Sequence, residues 1–109
     1  MIDLTKENIV SLLEKNDRAV ERAIVVLFNN QTFDEQQAAD VKYTNGRGFN
    51  ARDAHYGTIA AKVFIREGKL EDWQIRYWRK RDKKGNMKIG IYWRQLIEAA
   101  KVKQQGILT

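Results

Sequence analysis

Apolar residues recur at helical spacing over most of this chain. Leu4, Ile9, Leu12 and Leu13, with Val10 beside them, form a stripe over residues 4–15, led by Asp3 or Thr5 as N-cap. Asn16 and Asp17 then restart a helix. From Arg18 to about Asn29, Ala19, Val20, Ala23, Ile24, Val26, Leu27 and Phe28 make the most apolar segment, so this second helix is predicted to be central. Taken alone, residues 24–28 have the composition of a buried strand. The length of the run, and Glu21 and Arg22 at helix-compatible positions, favour helix.

Residues 29–50 read as a long connection, with Thr32 capping a short turn through Asp34, Glu35 and Gln36, and turn chemistry at Asn45, Gly46, Arg47 and Gly48. Asn50 or Asp53 caps the next helix, whose apolar side is Ala54, Ile59, Ala60, Val63 and Phe64. It ends at Glu67 and Gly68, where glycine is expected just past the last turn. Trp73, Tyr77 and Lys84, with Ile75 and Trp78 beside them, fit one helix face reaching Lys84. A break at 82–86 and a final helix from about 87 to 103 follow, and 104–109 are expected to fray. Met87, Ile89 and Ile91 also alternate across a turn containing Gly85 and Asn86, so a β-hairpin over residues 75–93 is the alternative. The spacing of Leu96 and Ile97 from Tyr92 and Trp93 favours helix. The predicted fold is mainly α: one domain, a compact bundle of four to five helices, with N-terminal helices over 1–30 and a second part over 31–103.

Charge changes this picture by giving the last part of the chain a direction. Residues 1–65 carry 8 Lys and Arg against 9 Asp and Glu, and residues 66–109 carry 12 against 5, so the formal charge of +6 lies entirely in the C-terminal part. Its densest stretch is Arg76, Arg79, Lys80, Arg81, Lys83, Lys84 and Lys88, interleaved with Trp73, Tyr77, Trp78, Tyr92 and Trp93. Cations release counterions from phosphates and flat rings stack on unpaired bases, so the pattern suits a nucleic acid, DNA ahead of RNA. Trp and Tyr at helical spacing are equally the buried face of a charged surface helix. No apolar run approaches the roughly 18 residues of a membrane span and no secretion signal opens the chain, so a soluble cytoplasmic protein is expected, with no membrane partner. With 109 residues, no Cys and a single His, disulfides, thiolate metal sites, thiol catalysis and imidazole clusters are excluded.

One segment carries a resemblance. Gln31 and Thr32, then Asp34, Glu35 and Gln36, precede Thr44, Asn45, Gly46, Arg47, Gly48, Phe49 and Asn50. Asp53 and Ala54, then Gly68, Leu70 and Gln74, and finally Tyr92, Gln95 and Leu96 complete the pattern. It resembles a small module of tailed-phage and mobile-element proteins, free-standing or appended to helicase-like chains of the SNF2 type, with the core NG-x-GFN-x-x-DA. The resemblance covers about two thirds of the sequence and implies a genome-processing context without implying a reaction. The basic insertion from Arg76 to Lys88 and the N-terminal helices depart from it.

Gly46 and Gly48 allow positive φ and close approach of a partner, and a glycine turn at a helix N-terminus offers N–H groups to an anion, with Arg47 and Arg52 adding charge. The competing reading is a structural corner with Phe49 as its plug. No Gly-Lys-Ser or Gly-Lys-Thr follows, which disfavours nucleotide hydrolysis. Asp34, Glu35, Asp40 and Asp53 have the chemistry of a Mg²⁺ nuclease but nothing fixes their convergence. Asp53 and His55, two apart, point to different helix faces, and Ser11 is remote, so no dyad or triad is read. No cofactor, metal or catalytic residue is expected. The expectation is a nucleic-acid-binding accessory protein of phage or mobile-element type. Arg76, Arg79, Lys80, Arg81, Lys83, Lys84 and Lys88 would contact phosphates with little sequence preference, Arg47 and Arg52 would be a second contact, and Trp73, Tyr77, Trp78 and Trp93 would stack or anchor. The alternative is an inhibitor or adaptor, of the phage anti-defence kind, docking on a host or phage nucleic-acid-processing protein.

Overall fold

The computed structural model describes residues 4–31 and 48–108, with side chains described as far as Lys101. Among these residues the chain is mostly helical, with five α-helices and no strand. α1 (Lys6–Lys15) starts at Thr5, whose Oγ1 accepts from the Asn8 N–H at 3.2 Å. Asn16 serves both neighbours. Its N–H donates to the Leu12 carbonyl at 2.9 Å, closing α1, and its Oδ1 accepts from the Arg18 N–H at 2.9 Å, opening α2 (Asp17–Asn29). One residue thereby ends one helix and begins the next, which fixes a sharp corner between them.

α2 is the central helix, as its composition predicts, and packs against each of the other four. Val20, Ile24 and Leu27 are fully buried along it, at the spacing of one helix face. α3 (Ala54–Glu67) ends at Gly68, with φ +79° and its N–H returned to the Phe64 carbonyl at 2.7 Å. The face that α3 buries agrees with the expected one at Ala54 and Ala60 and departs from it elsewhere. Ile59 is exposed and Val63 and Phe64 are half-buried, while Gly57, Thr58 and Ala61 are buried. Small residues at i, i+3, i+4 and i+7 let helices approach closely, and that advantage outweighs the greater bulk on the neighbouring side.

Leu70 is buried, and its N–H donates to Glu21 Oε2 at 2.7 Å, tying the link after α3 to the central helix. α4 (Asp72–Arg79) follows, with the Glu71 N–H donating to Gln74 Oε1 at 3.1 Å at its start. Both expectations for the next stretch need correction. The helix stops at Arg79 instead of reaching Lys84, and the hairpin over 75–93 is reduced to a reversal over 80–88 closed by a single bridge between Arg81 and Met87. Asp82 makes the turn. Its Oδ1 accepts from the Lys84 and Asn86 N–H groups, both at 2.9 Å, and Gly85 takes φ +83°. The returning chain is held to the end of α4 by Lys88 N–H to Lys80 carbonyl at 2.8 Å and Ile89 N–H to Trp78 carbonyl at 2.9 Å. Met87 and Ile89 alternate inward and are buried, so the strand-like pattern is real but two residues long.

A 3₁₀ turn (Gly90–Tyr92) leads into α5 (Trp93–Leu108), which begins six residues later than expected and runs on through 104–108, where fraying was expected. One buried cluster takes residues from all five helices together with Phe49, Leu70, Met87, Ile89 and Tyr92. No helix among the described residues is long and apolar enough to cross a membrane.

Candidate nucleic-acid interface

Among the described residues, Gln31, Gly48, Phe49, Asn50, Asp53, Tyr92 and Gln95 of the motif pattern meet at one joint. Gly48 enters it with φ +80°, and a Cβ there would lie 2.4 Å from Cγ of the buried Gln31. The Gly48 N–H donates to Gln95 Oε1 at 2.7 Å and Gln95 Nε2 donates back to the Gly48 carbonyl at 3.1 Å, while Asn30 Nδ2 also donates to Gln95 Oε1. The Asn50 N–H donates to the Tyr92 hydroxyl at 3.1 Å, and that hydroxyl donates to Asp53 Oδ2 at 2.5 Å. Phe49 is buried between Trp78, at 5.5 Å between ring centroids, and Tyr92, edge-on at 5.9 Å, and reaches Gly57 of α3. The N–H groups of Gly48 and Asn50, which an anion would need, are spent on the side chains of Gln95 in α5 and Tyr92 in the 3₁₀ turn, which fits the structural-corner reading; Gly46 lies outside the described residues. Arg47 lies outside the described residues.

Asp53 stands at the N-cap position of α3 but makes no capping bond. Its fully buried carboxylate is turned to the Tyr92 hydroxyl and to Lys88 Nζ at 3.4 Å, with Arg52 Nε at 3.7 Å. Burial, and the hydrogen bond to Asp53, push the Tyr92 hydroxyl well above its ordinary titration range.

Beside this joint runs the surface that the charge pattern anticipates. α4 buries Gln74, Ile75 and Trp78 and turns Trp73, Arg76, Tyr77 and then Lys80 outward, at i, i+3, i+4 and i+7. Rings and cations alternate on that face. Lys80 leads into an open groove of about 330 Å³ lined by Arg52, Tyr77, Lys80, Arg81, Lys88 and Asp82. Arg52 arrives from the N-terminal side of α3 and Lys80, Arg81 and Lys88 from the basic segment, while Arg76, Arg79, Lys83 and Lys84 do not line the groove. The Asp82 carboxyl is held below the usual carboxylate range, chiefly by the Asn86 N–H, and stays charged to hold the turn.

The candidate cations divide into two kinds. Arg79 donates from Nε to the Leu13 carbonyl at 2.8 Å and pairs with Asp17 at 2.7 Å, bracing α4 against the α1–α2 corner. Arg81 pairs with Glu14 and donates to the Gly85 carbonyl. Lys88 is committed to Asp53 and sits over the Tyr77 ring at 5.0 Å. These three hold the fold. Arg76, Lys80, Lys83 and Lys84 are exposed and form no salt bridge among the described residues, and the Arg52 side chain is 71 % exposed.

The aromatic candidates divide the same way. Trp78, at 1 % exposure, is core and offers no face to a ligand. Trp93 is half-buried between Lys6 and Arg94. Trp73 is 51 % exposed, its indole N–H fixed to Glu71 Oε2 at 2.7 Å. Sequence reasoning passed over Tyr56, also 51 % exposed, whose ring meets Tyr77 at 5.4 Å. Its signal was available: an aromatic residue outside the apolar stripe of its own helix.

The catalytic alternatives gain no geometry. His55 is exposed and stacks edge-on against Tyr56, away from the buried Asp53, and no group of three or more His, Cys, Asp or Glu side chains suited to a metal ion occurs among the described residues. Asp34, Glu35 and Asp40 lie outside those residues. No protein-family model, curated protein or solved structure matches the chain.

Proposed function

We propose that the protein binds nucleic acid along the outer face of α4 and its groove, taking phosphates on Arg52 and Lys80, with Arg76, Lys83 and Lys84 at the margins. The observation that supports this best is convergence. Arg52 and Lys80 come from segments far apart in sequence, line the same groove, and are not needed to brace the helices, whereas Arg79, Arg81 and Lys88 are. Lys80 forms no salt bridge among the described residues, and Arg52, whose side chain is 71 % exposed, makes only a 3.7 Å contact with Asp53, so both leave charge that raises the local potential and favours a polyanion. Binding carried mainly by phosphate contacts has little sequence preference and falls steeply with salt. An accessory role in a phage or mobile element rests on the motif resemblance.

Affinity for oligonucleotides measured across a salt series tests the reading, with tight binding at low salt that weakens linearly on a log–log plot as the expected result. No binding at low salt would sink it. Exposed Trp73, an apolar anchor with a fixed ring, would then favour the adaptor reading, in which a protein partner covers the same face.

A further inference from the structure

Resting on that reading, we infer that the ligand is a single strand whose unpaired bases stack on Tyr56 and Trp73 while its phosphates lie in the groove. Tyr56 and Trp73 are the two exposed Tyr or Trp side chains among the described residues, and each flanks Tyr77, Tyr56 by ring contact at 5.4 Å and Trp73 by one helical turn. Tyr77 itself lines the groove and carries Lys88 over its ring at 5.0 Å. Stacking faces and phosphate-binding cations therefore adjoin through one residue.

Both rings are held by neighbouring side chains although half of each is exposed. Trp73 is pinned by its bond to Glu71, and Tyr56 is braced by His55 at 5.4 Å and by Tyr77. Support fixes a ring before a ligand arrives and reduces the ordering cost of binding. In a duplex the base faces are stacked on one another and closed to these rings, so a duplex engages the cations only. A single strand engages both. Base stacking on an aromatic side chain is sequence-tolerant, in keeping with binding carried by phosphate contacts.

The test compares an oligothymidine with a duplex of the same length, by fluorescence anisotropy at matched salt, for the unaltered protein and for Tyr56→Ala, Tyr56→Phe and Lys80→Glu. The single strand is expected to bind about tenfold or more tightly than the duplex. Tyr56→Ala should remove about tenfold of single-strand affinity and leave duplex affinity unchanged, Tyr56→Phe should bind like the unaltered protein, and Lys80→Glu should weaken both ligands. In the unaltered protein the oligothymidine should quench indole fluorescence, and Trp73→Phe should abolish most of that quenching. Equal affinity for both ligands, with no quenching and no effect of Tyr56→Ala, overturns the single-strand inference while Lys80→Glu still reports on phosphate binding. Failure of both ligands to bind overturns the underlying reading instead.

Discussion

Asp53 is the residue on which the glycine corner turns. A fully buried carboxylate is costly unless its lone pairs are met, and here the Tyr92 hydroxyl and the Lys88 ammonium meet them. Tyr92→Phe would remove the hydroxyl, leaving Asp53 short of a donor and the Asn50 N–H short of an acceptor, at a cost of about 1–3 kcal/mol in chemical denaturation. The hydroxyl also couples the corner to pH. Because its titration in the folded protein is raised above the ordinary 10.0, mainly by burial, the unfolded chain loses this proton first as pH rises. Its contribution is therefore complete below about pH 10 and lost progressively above it. Thermal melts of the unaltered protein and Tyr92→Phe should differ at pH 8 and converge as pH rises past 10; a constant gap would contradict this account. The chemistry of the corner was only partly legible. Phe49 as a plug could be read from the sequence, but Asp53 looked like a cap because the residues that claim its carboxylate, Lys88 and Tyr92, lie 35 and 39 positions away.

Helix positions were the most legible feature, because caps and stops are local. Thr5, Asn16 and Gly68 act within three or four residues of themselves, and each stands where the polar pattern puts a helix end. The face that α3 buries was only partly legible by the same means. The pattern pointed to Ile59, Val63 and Phe64 beside Ala54 and Ala60; the two alanines are buried, but close approach selects Gly57, Thr58 and Ala61 over the bulkier three. Gly57→Ala gives this difference a sign. A methyl group there would come within 2.5 Å of the Phe49 ring, which is wedged between Trp78 and Tyr92. Helix propensity favours alanine by about 1 kcal/mol and overpacking costs about 1–3 kcal/mol, so the variant should be less stable, by up to about 2 kcal/mol. A stabilised variant in urea denaturation would mean that the ring moves freely. The end of α4 was obscure for another reason. Residues 80–88 carry helix-compatible cations, a turn and two alternating apolar residues at once, and burial of Met87 and Ile89 decides among them.

Across the whole molecule, a charge of +6 does not by itself say which cations are for binding. Seven neighbours in sequence look alike, yet Arg79 and Arg81 reach back more than sixty residues to α1 and its carboxyl end, and only tertiary contacts reveal it. Reversing Arg79 or Arg81 would disturb the fold, so neither is a clean probe of binding. The pair that separates stability from binding is Arg79 and Lys80. Arg79→Ala should cost about 1–3 kcal/mol of stability through the lost Leu13 and Asp17 contacts. Its salt dependence of binding should not change. Lys80→Ala should leave the melting temperature in place and weaken binding.

The most direct measurement is the slope of log affinity against log salt for the unaltered protein, Arg52→Ala, Lys80→Ala and the double variant. If the groove holds phosphates, each single variant lowers the slope by about 0.7–0.9 and the double variant by about twice that. Slopes that match the unaltered protein's in all three variants would contradict the account.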